Sequence, residues 1–277
     1  MAPMEKLFST GFAPLTHVTV EKWQDNLGVV ATDTLAEEVP VALVYNSVSH
    51  VVMLATPQDL QDFALGFSLS EGIINHPSEL LDCFVSHTDE GIHIDLHITE
   101  ARFEALKDQR RNLIGRTGCG LCGAETLQQV MRNIKPVSSS ALFSAEQFHA
   151  GFAQMQAQQR IQKLTGAAHA AGWMNADGEI SIVREDVGRH NSLDKLLGAL
   201  LQTGQDLSTG AVLITSRASY EMVQKTATAG IGILAAISAP TGLAVRLAEQ
   251  TNLTLLGFVR NHSHVAYSHL KRLRHDK

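Results

Sequence analysis

Two cysteines, Cys119 and Cys122, stand in a Cys-x-x-Cys arrangement among Gly118, Gly120 and Gly123. The glycines let the backbone adopt conformations closed to other residues and give the thiols little steric cover. From Ala124 the apolar residues Leu127, Val130, Met131 and Ile134 recur at helical spacing, so Cys122 falls just before a helix N-terminus, with Arg116 close by in sequence. Both features favour thiolate over thiol, and the thiolate is the nucleophile. Three chemistries use such a pair. Zinc binding needs a second Cys or Cys/His pair, whereas Cys83 is alone and His93 and His97 fall on the polar side of an alternating strand. Thioredoxin-like exchange places the motif after a strand in a βαβ context, with bulkier neighbours. Sulfur relay uses one cysteine as carrier and the other as helper or protector. The pair alone leaves all three open.

A second chemistry comes from strand ends. Around Asn175-Ala-Asp-Gly178, residues 168–174 and 179–183 read as a hairpin, followed by a helix with Leu193, Leu196, Leu197, Leu200 and Leu201 as its stripe. Strands at 211–216, 231–238 and 253–259 then alternate with helices, the pattern of a parallel sheet covered on both faces. Ligands of such sheets bind beyond the carboxyl ends of the strands. Those ends are Ser216-Arg217-Ala-Ser219, Ser238-Ala-Pro240-Thr241 and Arg260-Asn261-His262-Ser263. They are rich in hydroxyls, and two run into helix N-termini, which favour phosphate. Ordinary helix capping accounts for the same residue types at any one of these ends.

The first half reads as mixed α+β. Residues 41–46 and 50–56 form a hairpin pattern, Thr56-Pro57 has the makings of a helix start, and Leu60, Phe63, Ala64 and Phe67 give that helix a buried stripe. Residues 91–98 alternate strictly, a charged helix covers roughly 100–113, and Ser144 with Gln147 forms a capping-box pattern. The polar run 135–141, with Pro136 and three serines, is the expected boundary between an N-terminal α+β domain (1–137) and a C-terminal α/β domain (138–277). A net charge of −6 argues against nucleic-acid binding. No apolar run reaches the roughly 18 residues of a membrane helix. The first residues lack the build of a secretory signal, so a cytoplasmic protein with reduced thiols is expected.

The strings 37–46 (EEVPVALVYN), 63–74 (FALGFSLSEGII), 115–123 (GRTGCGLCG), 185–198 (EDVGRHNSLDKLLG), 216–225 (SRASYEMVQK) and 243–260 (LAVRLAEQTNLTLLGFVR) resemble the FdhD family, in order, over about residues 36–267. The resemblance implies a sulfurtransferase, a persulfide carrier required for formate dehydrogenase activity. A cysteine desulfurase would hand sulfur to the pair, with Cys119 as carrier and Cys122 as accessory thiol. The acceptor would be the molybdenum bis(molybdopterin guanine dinucleotide) cofactor, for which GDP is a fragment. The family's cofactor segment maps onto Phe258, Val259, Arg260, Asn261, His262 and Ser263; Ser216, Arg217 and Ser219 join it from the strand-end pattern. A homodimer is expected, with formate dehydrogenase as recipient.

The resemblance also implies a cytidine-deaminase-like three-layer sandwich in the C-terminal half. Deaminase chemistry would need a His-x-Glu segment and a later Pro-Cys-x-x-Cys. Here His169-Ala-Ala lacks the glutamate, and the cysteine pair precedes that region. In Glu185-Asp-Val-Gly-Arg-His-Asn191 either a capped helix start with a surface ion pair, or a functional Arg189 or His190, fits the residues. The histidines at 262, 264, 269 and 275 are irregularly spaced, and Trp23 and Trp173 read as packing residues.

Overall fold

The structure is a computed structural model that describes residues 12–114 and 134–274, with side chains left out of the description for 109–114. Cys119 and Cys122 lie outside the described residues.

The chain begins with a hairpin, β1 (Leu15–Gln24) and β2 (Leu27–Ala36), in a stretch that carried no sequence expectation. The expected hairpin follows as β3 (Val39–Tyr45) and β4 (Val48–Ala55). Its turn residues Asn46 and Ser47 both have positive φ, the geometry that matches strand twist in two-residue hairpins. Strands β5 (Leu80–Thr88) and β6 (Gly91–Ile98) complete a four-stranded sheet of order β4-β3-β6-β5, in which β3 and β6 are parallel. Ile92, Ile94, Leu96 and Ile98 of β6 all point inward, as their alternation predicts. They pack against Phe63, Ala64 and Phe67 of helix α1 (Leu60–Ser70). Helix α2 (Glu100–Ile114) follows.

Thr56-Pro57 does not start α1. The helix begins at Leu60, behind Asp59 in a left-handed conformation with no side-chain cap. Thr56 instead binds the other half of the chain: its N–H donates to Asp186 and its hydroxyl accepts from the Val187 N–H. A partner 131 residues away took the hydroxyl that local spacing assigned to a cap.

The second half opens with β7 (Phe143–Ser144) and helix α3 (Ala145–Gln158), whose capping box joins Ser144 and Gln147 as expected. The helical run breaks at Gln159 and resumes as α4 (Arg160–Thr165). A six-stranded sheet of order β13-β12-β11-β10-β8-β9 follows, from β8 (His169–Met174), β9 (Ile180–Asp186), β10 (Ala211–Ile214), β11 (Ile233–Ala236), β12 (Thr254–Arg260) and β13 (Ser263–Ser268). Only β10, β11 and β12 are mutually parallel; β8, β9 and β13 run antiparallel to their neighbours. The three strands expected to be parallel are so, and the expected β8–β9 hairpin together with β13 makes the sheet as a whole a mixed one. The reason is local: β8–β9 and β12–β13 are joined by short turns, which permit only antiparallel pairing. The terminal strand β14 (Leu273–Arg274) pairs with β7.

Helices α5 (Arg189–Thr203), α6 (Tyr220–Thr228) and α7 (Gly242–Gln250) cover one face of this sheet through Leu193, Leu197, Val223 and Leu247. Helix α3 covers the other through Phe148, Phe152 and Met155. The C-terminal half is thus three layers deep.

The two halves meet where α1 crosses α5. A Cβ added at Gly66 would overlap the Asp194 carbonyl oxygen, and one at Gly198 would overlap that of Asp62. Both collisions are with backbone, which cannot swing aside. Gly198→Ala is therefore expected to destabilise the protein by about 1–3 kcal/mol or more, read from the urea midpoint. A midpoint equal to that of the unmodified protein would mean the helices can separate without cost.

Candidate functional site

The carboxyl ends of β10, β11 and β12 open into a cleft of about 1280 Å³, walled on the other side by α3 and α4. Thr215, Ile237, Val259 and Arg260 come from the strand ends, and His169 comes from the start of antiparallel β8, which lies at the same edge. The helical wall contributes His149 and Lys163. None of the described residues that line the cleft is Asp or Glu, although the chain carries a net charge of −6. Such a wall attracts anions and offers them no like charge.

Local geometry shapes the far wall. Phe258 has φ 54°, a left-handed conformation that costs energy for a bulky aromatic. It sits in a register shift between Gly257 and Arg260, so the last residues of β12 turn away from regular pairing. Asn261 and His262, both with positive φ, make the tight turn into β13. The Arg260 guanidinium lies 5.9 Å from the Phe258 ring centre, close enough for a cation–π contact that holds its long side chain near the opening. His262 and His264 both face His149, with ring centres 5.7 Å apart in each pair. Burial, together with His264 and His262, holds the His149 imidazole below its ordinary value. His169 is also held low, by burial and by the charges of Arg189 and His190.

The sequence-predicted residues divide accordingly. Val259, Arg260, Asn261 and His262 line the cleft, although the Val259 side chain is fully buried. Phe258 is half-buried and Ser263 exposed, neither on the cleft wall. Ser216 is buried and donates to the Arg217 carbonyl; Arg217 is exposed; Ser219 sits at the N-cap of α6 without making a cap bond. These three are not part of the cleft lining. Of the hydroxyls at the strand ends, Thr241 is an ordinary cap, accepting from the Ala244 N–H at 3.3 Å. Sequence reasoning missed His149 and Lys163. Each is a polar residue on an amphipathic helix, and nothing in its spacing distinguishes it from a solvated one.

The Glu185–Asn191 segment does not cap its own helix with a side chain; it carries a partly exposed ion pair, His190 with Glu221 at 2.7 Å, and two buried carboxylates. Glu185 is buried and its carboxylate accepts from the N–H groups of Arg160, Ile161 and Gln162, capping α4. This explains how the helical run can break at Gln159 and restart at once. Asp186 is fully buried 2.7 Å from Lys195, itself fully buried. Cys83 is half-buried on β5, where burial and Asp82 push its thiol up to about 11, so it is protonated at neutral pH. Among the described residues, no group of three His, Cys, Asp or Glu side chains is placed to hold a metal ion, and no helix is long and apolar enough to cross a membrane.

Comparisons with known proteins agree with the motif resemblance. The model of the FdhD/NarQ family matches residues 36–274. A sulfur carrier protein FdhD from Cupriavidus necator is 58% identical over 265 residues, covering 95% of this chain and 92% of its own. Another, from Bordetella petrii, is 52% identical, covering 88% and 87%. The fold is that of a Desulfotalea psychrophila crystal structure, of a protein proposed as a formate dehydrogenase accessory protein, at a TM-score of 0.76 and 22% identity over 94% of this chain and 99% of that one. With motifs, family model and full-length relatives in agreement, the chain belongs to the FdhD/NarQ family.

Proposed function

We propose that this protein is a sulfur carrier, taking a sulfur atom from a cysteine desulfurase and delivering it to the molybdenum bis(molybdopterin guanine dinucleotide) cofactor on its way to formate dehydrogenase. The curated relatives are sulfur carrier proteins by name. The observation that carries the cofactor half of the reading is the cleft, with Lys163, Arg260 and three histidines on its walls and no carboxylate among the described residues. Its size is above the usual range for one small ligand, about 300–1,000 Å³, and suits a cargo bearing two nucleotides. Arg260, Asn261 and His262 hold phosphate oxygens from the strand side, while Phe258 and Ser263 support that turn. Ser216, Arg217 and Ser219 form the continuation of the crest. The three-layer half corresponds, in this reading, to a cytidine-deaminase-like scaffold put to binding rather than to deamination.

The carrier chemistry belongs to Cys119. Its thiolate attacks the terminal sulfur of the desulfurase persulfide; one S–S bond forms, the donor S–S bond breaks, and the donor cysteine leaves as a thiolate. Cys122 then attacks Cys119 Sγ, closing a disulfide and releasing the terminal sulfur as sulfide to the cargo. The pair supplies the two electrons, and a cellular thiol reductant resets it. A cytoplasmic setting keeps the pair reduced between cycles. The working form in this proposal is a homodimer, with the exposed Trp23, Leu27, Val29 and Val30 of the β1–β2 hairpin as the surface a second copy would cover.

GDP tests the cleft. Arg260→Ala is expected to weaken GDP binding about tenfold or more, the loss of one charge-assisted contact. The pH dependence has a definite sign. An imidazole held low when the cleft is empty gains a proton when phosphate arrives, so affinity rises as pH falls from 8 to 6, by up to about tenfold per unit for each proton taken up. His149→Gln should flatten that slope. Calorimetry showing unchanged affinity in Arg260→Ala would remove the residue from the site, and a pH-independent Kd would remove the histidines.

A further inference from the structure

The segment that opens α5 is only partly used by the fold. Glu185 caps α4 and Asp186 holds Lys195, but Arg189 and His190 serve neither purpose. His190 Nε2 lies 2.7 Å from Glu221 Oε2, and this contact brings the first turn of α5 against the first turn of α6. The His190 Nε2 approach is an ion-pair contact without hydrogen-bond geometry, and around it Arg189 Nε, Ser219 Oγ and the Tyr220 hydroxyl are also buried with no hydrogen-bond partner among the described residues. Tyr220 is only 7% exposed, so bulk water does not reach its hydroxyl.

Neither helix start is closed by a side chain. Gly188 at the N-cap of α5 has none to offer, and Ser219, with the extended backbone of an N-cap, makes no cap bond. Thr241 in the corresponding place on α7 does cap its helix. The difference is therefore one of position. Buried polar groups in native proteins are almost always satisfied, and a cluster that is not points to something that satisfies it. These two helix starts carry a guanidinium N–H, two hydroxyls able to donate, and two helix N-termini, while the buried Asp186 carboxylate beside them is already taken by Lys195 and the Gly188 N–H. The other nearby carboxylate, Glu221, is 58% exposed and engaged by His190. The cluster also adjoins the cleft, because His169 lines the cleft and senses the charges of Arg189 and His190.

We propose that the paired N-termini of α5 and α6 form a second anion subsite, in which Arg189, Ser219 and Tyr220 donate to one compact anionic group. Two groups share the required chemistry, negative charge with lone pairs facing several donors: a phosphoryl oxyanion, and a terminal sulfur anion such as hydrosulfide. The subsite shares Ser219 with the proposed cofactor crest, and at that residue it rests on the proposed function, whereas Arg189 and Tyr220 are its own donors.

The test uses full-length protein, with inorganic phosphate and sodium hydrosulfide as separate probes at constant ionic strength, followed by calorimetry and thermal melting. At least one anion should bind the unmodified protein and raise its Tm. Tyr220→Phe should melt at or above the temperature of the unmodified protein when no anion is present, because the hydroxyl removed has no partner to lose. The same variant, and Ser219→Ala, should bind the anion about tenfold or more weakly. Arg260→Ala should keep the response, which separates this subsite from the main cleft. A response to phosphate alone assigns the subsite to a nucleotide phosphate, and a response to hydrosulfide alone assigns it to a sulfur-bearing group. The proposal fails if neither anion binds, if both variants bind as the unmodified protein does, if Arg260→Ala abolishes the response, or if Tyr220→Phe melts several degrees lower without ligand.

Discussion

Cys119→Ala protein, incubated with a cysteine desulfurase and free cysteine, is expected to show no sulfur adduct by intact-mass spectrometry, where the unmodified protein gains one sulfur atom. The loss should be complete rather than partial. The chain has three cysteines: Cys122 is assigned to release and not to loading, and Cys83 cannot stand in, because its thiol is pushed up to about 11 and stays protonated while sulfur acceptance needs thiolate. Cys122→Ala separates the two roles: it should still load sulfur on Cys119 but fail to form the internal disulfide that releases it. GDP affinity should be unaffected by either change. An adduct that persists in Cys119→Ala would transfer the carrier role to another residue.

The second large effect lies in the buried junction between the halves. Lys225→Met is expected to cost about 3–5 kcal/mol in urea unfolding. The Lys225 ammonium donates to Ser70, to Glu71 at 2.8 Å and to both oxygens of Asp194 at 3.0 and 2.9 Å. Burial opposes the charge on Lys225, but Asp194 and Glu71 outweigh it and hold the ammonium above its ordinary value. Removing the lysine leaves Asp194, which is 1% exposed, with the Ser70 hydroxyl as its side-chain partner among the described residues. Replacing both partners by apolar residues, as in Lys225→Met with Asp194→Leu, should recover most of the loss, since no uncompensated charge then remains. A single variant that loses less than about 1 kcal/mol, the range of an exposed pair, would show that water reaches the junction.

Much of the fold was legible wherever a pattern is satisfied within a few residues. The β3–β4 hairpin, the inward alternation of β6 and the Ser144–Gln147 capping box each depend on neighbours in sequence, and each formed as its spacing indicates. Failures came where a distant partner won. Thr56 was taken by Asp186 and Val187, and Glu185, four residues ahead of a helix, caps a different helix 25 residues upstream. The β8–β9 hairpin was legible from its turn, but the antiparallel pairing of β8 with β10 was not, because an apolar run reads alike in either strand direction. For the site, the last-strand segment was legible through its turn and its arginine. The opposing wall was not, because His149 meets His262 and His264 only after α3 folds back over the sheet. The cysteine pair was the clearest chemical signal in the sequence, and it lies outside the described residues.

The glycine contact between α1 and α5 has a reach beyond packing. The carbonyl that Gly66 approaches belongs to Asp194, the residue whose side chain anchors Lys225. Lys225 stands two turns or less along α6 from Ser219 and Tyr220. A methyl group added at position 66 would therefore press on a lever whose other arm carries the anion-binding end of α6. Changes in the sheet-covering helix of the first half can thus be inherited by ligand affinity in the second, as remote epistasis between residues that never touch.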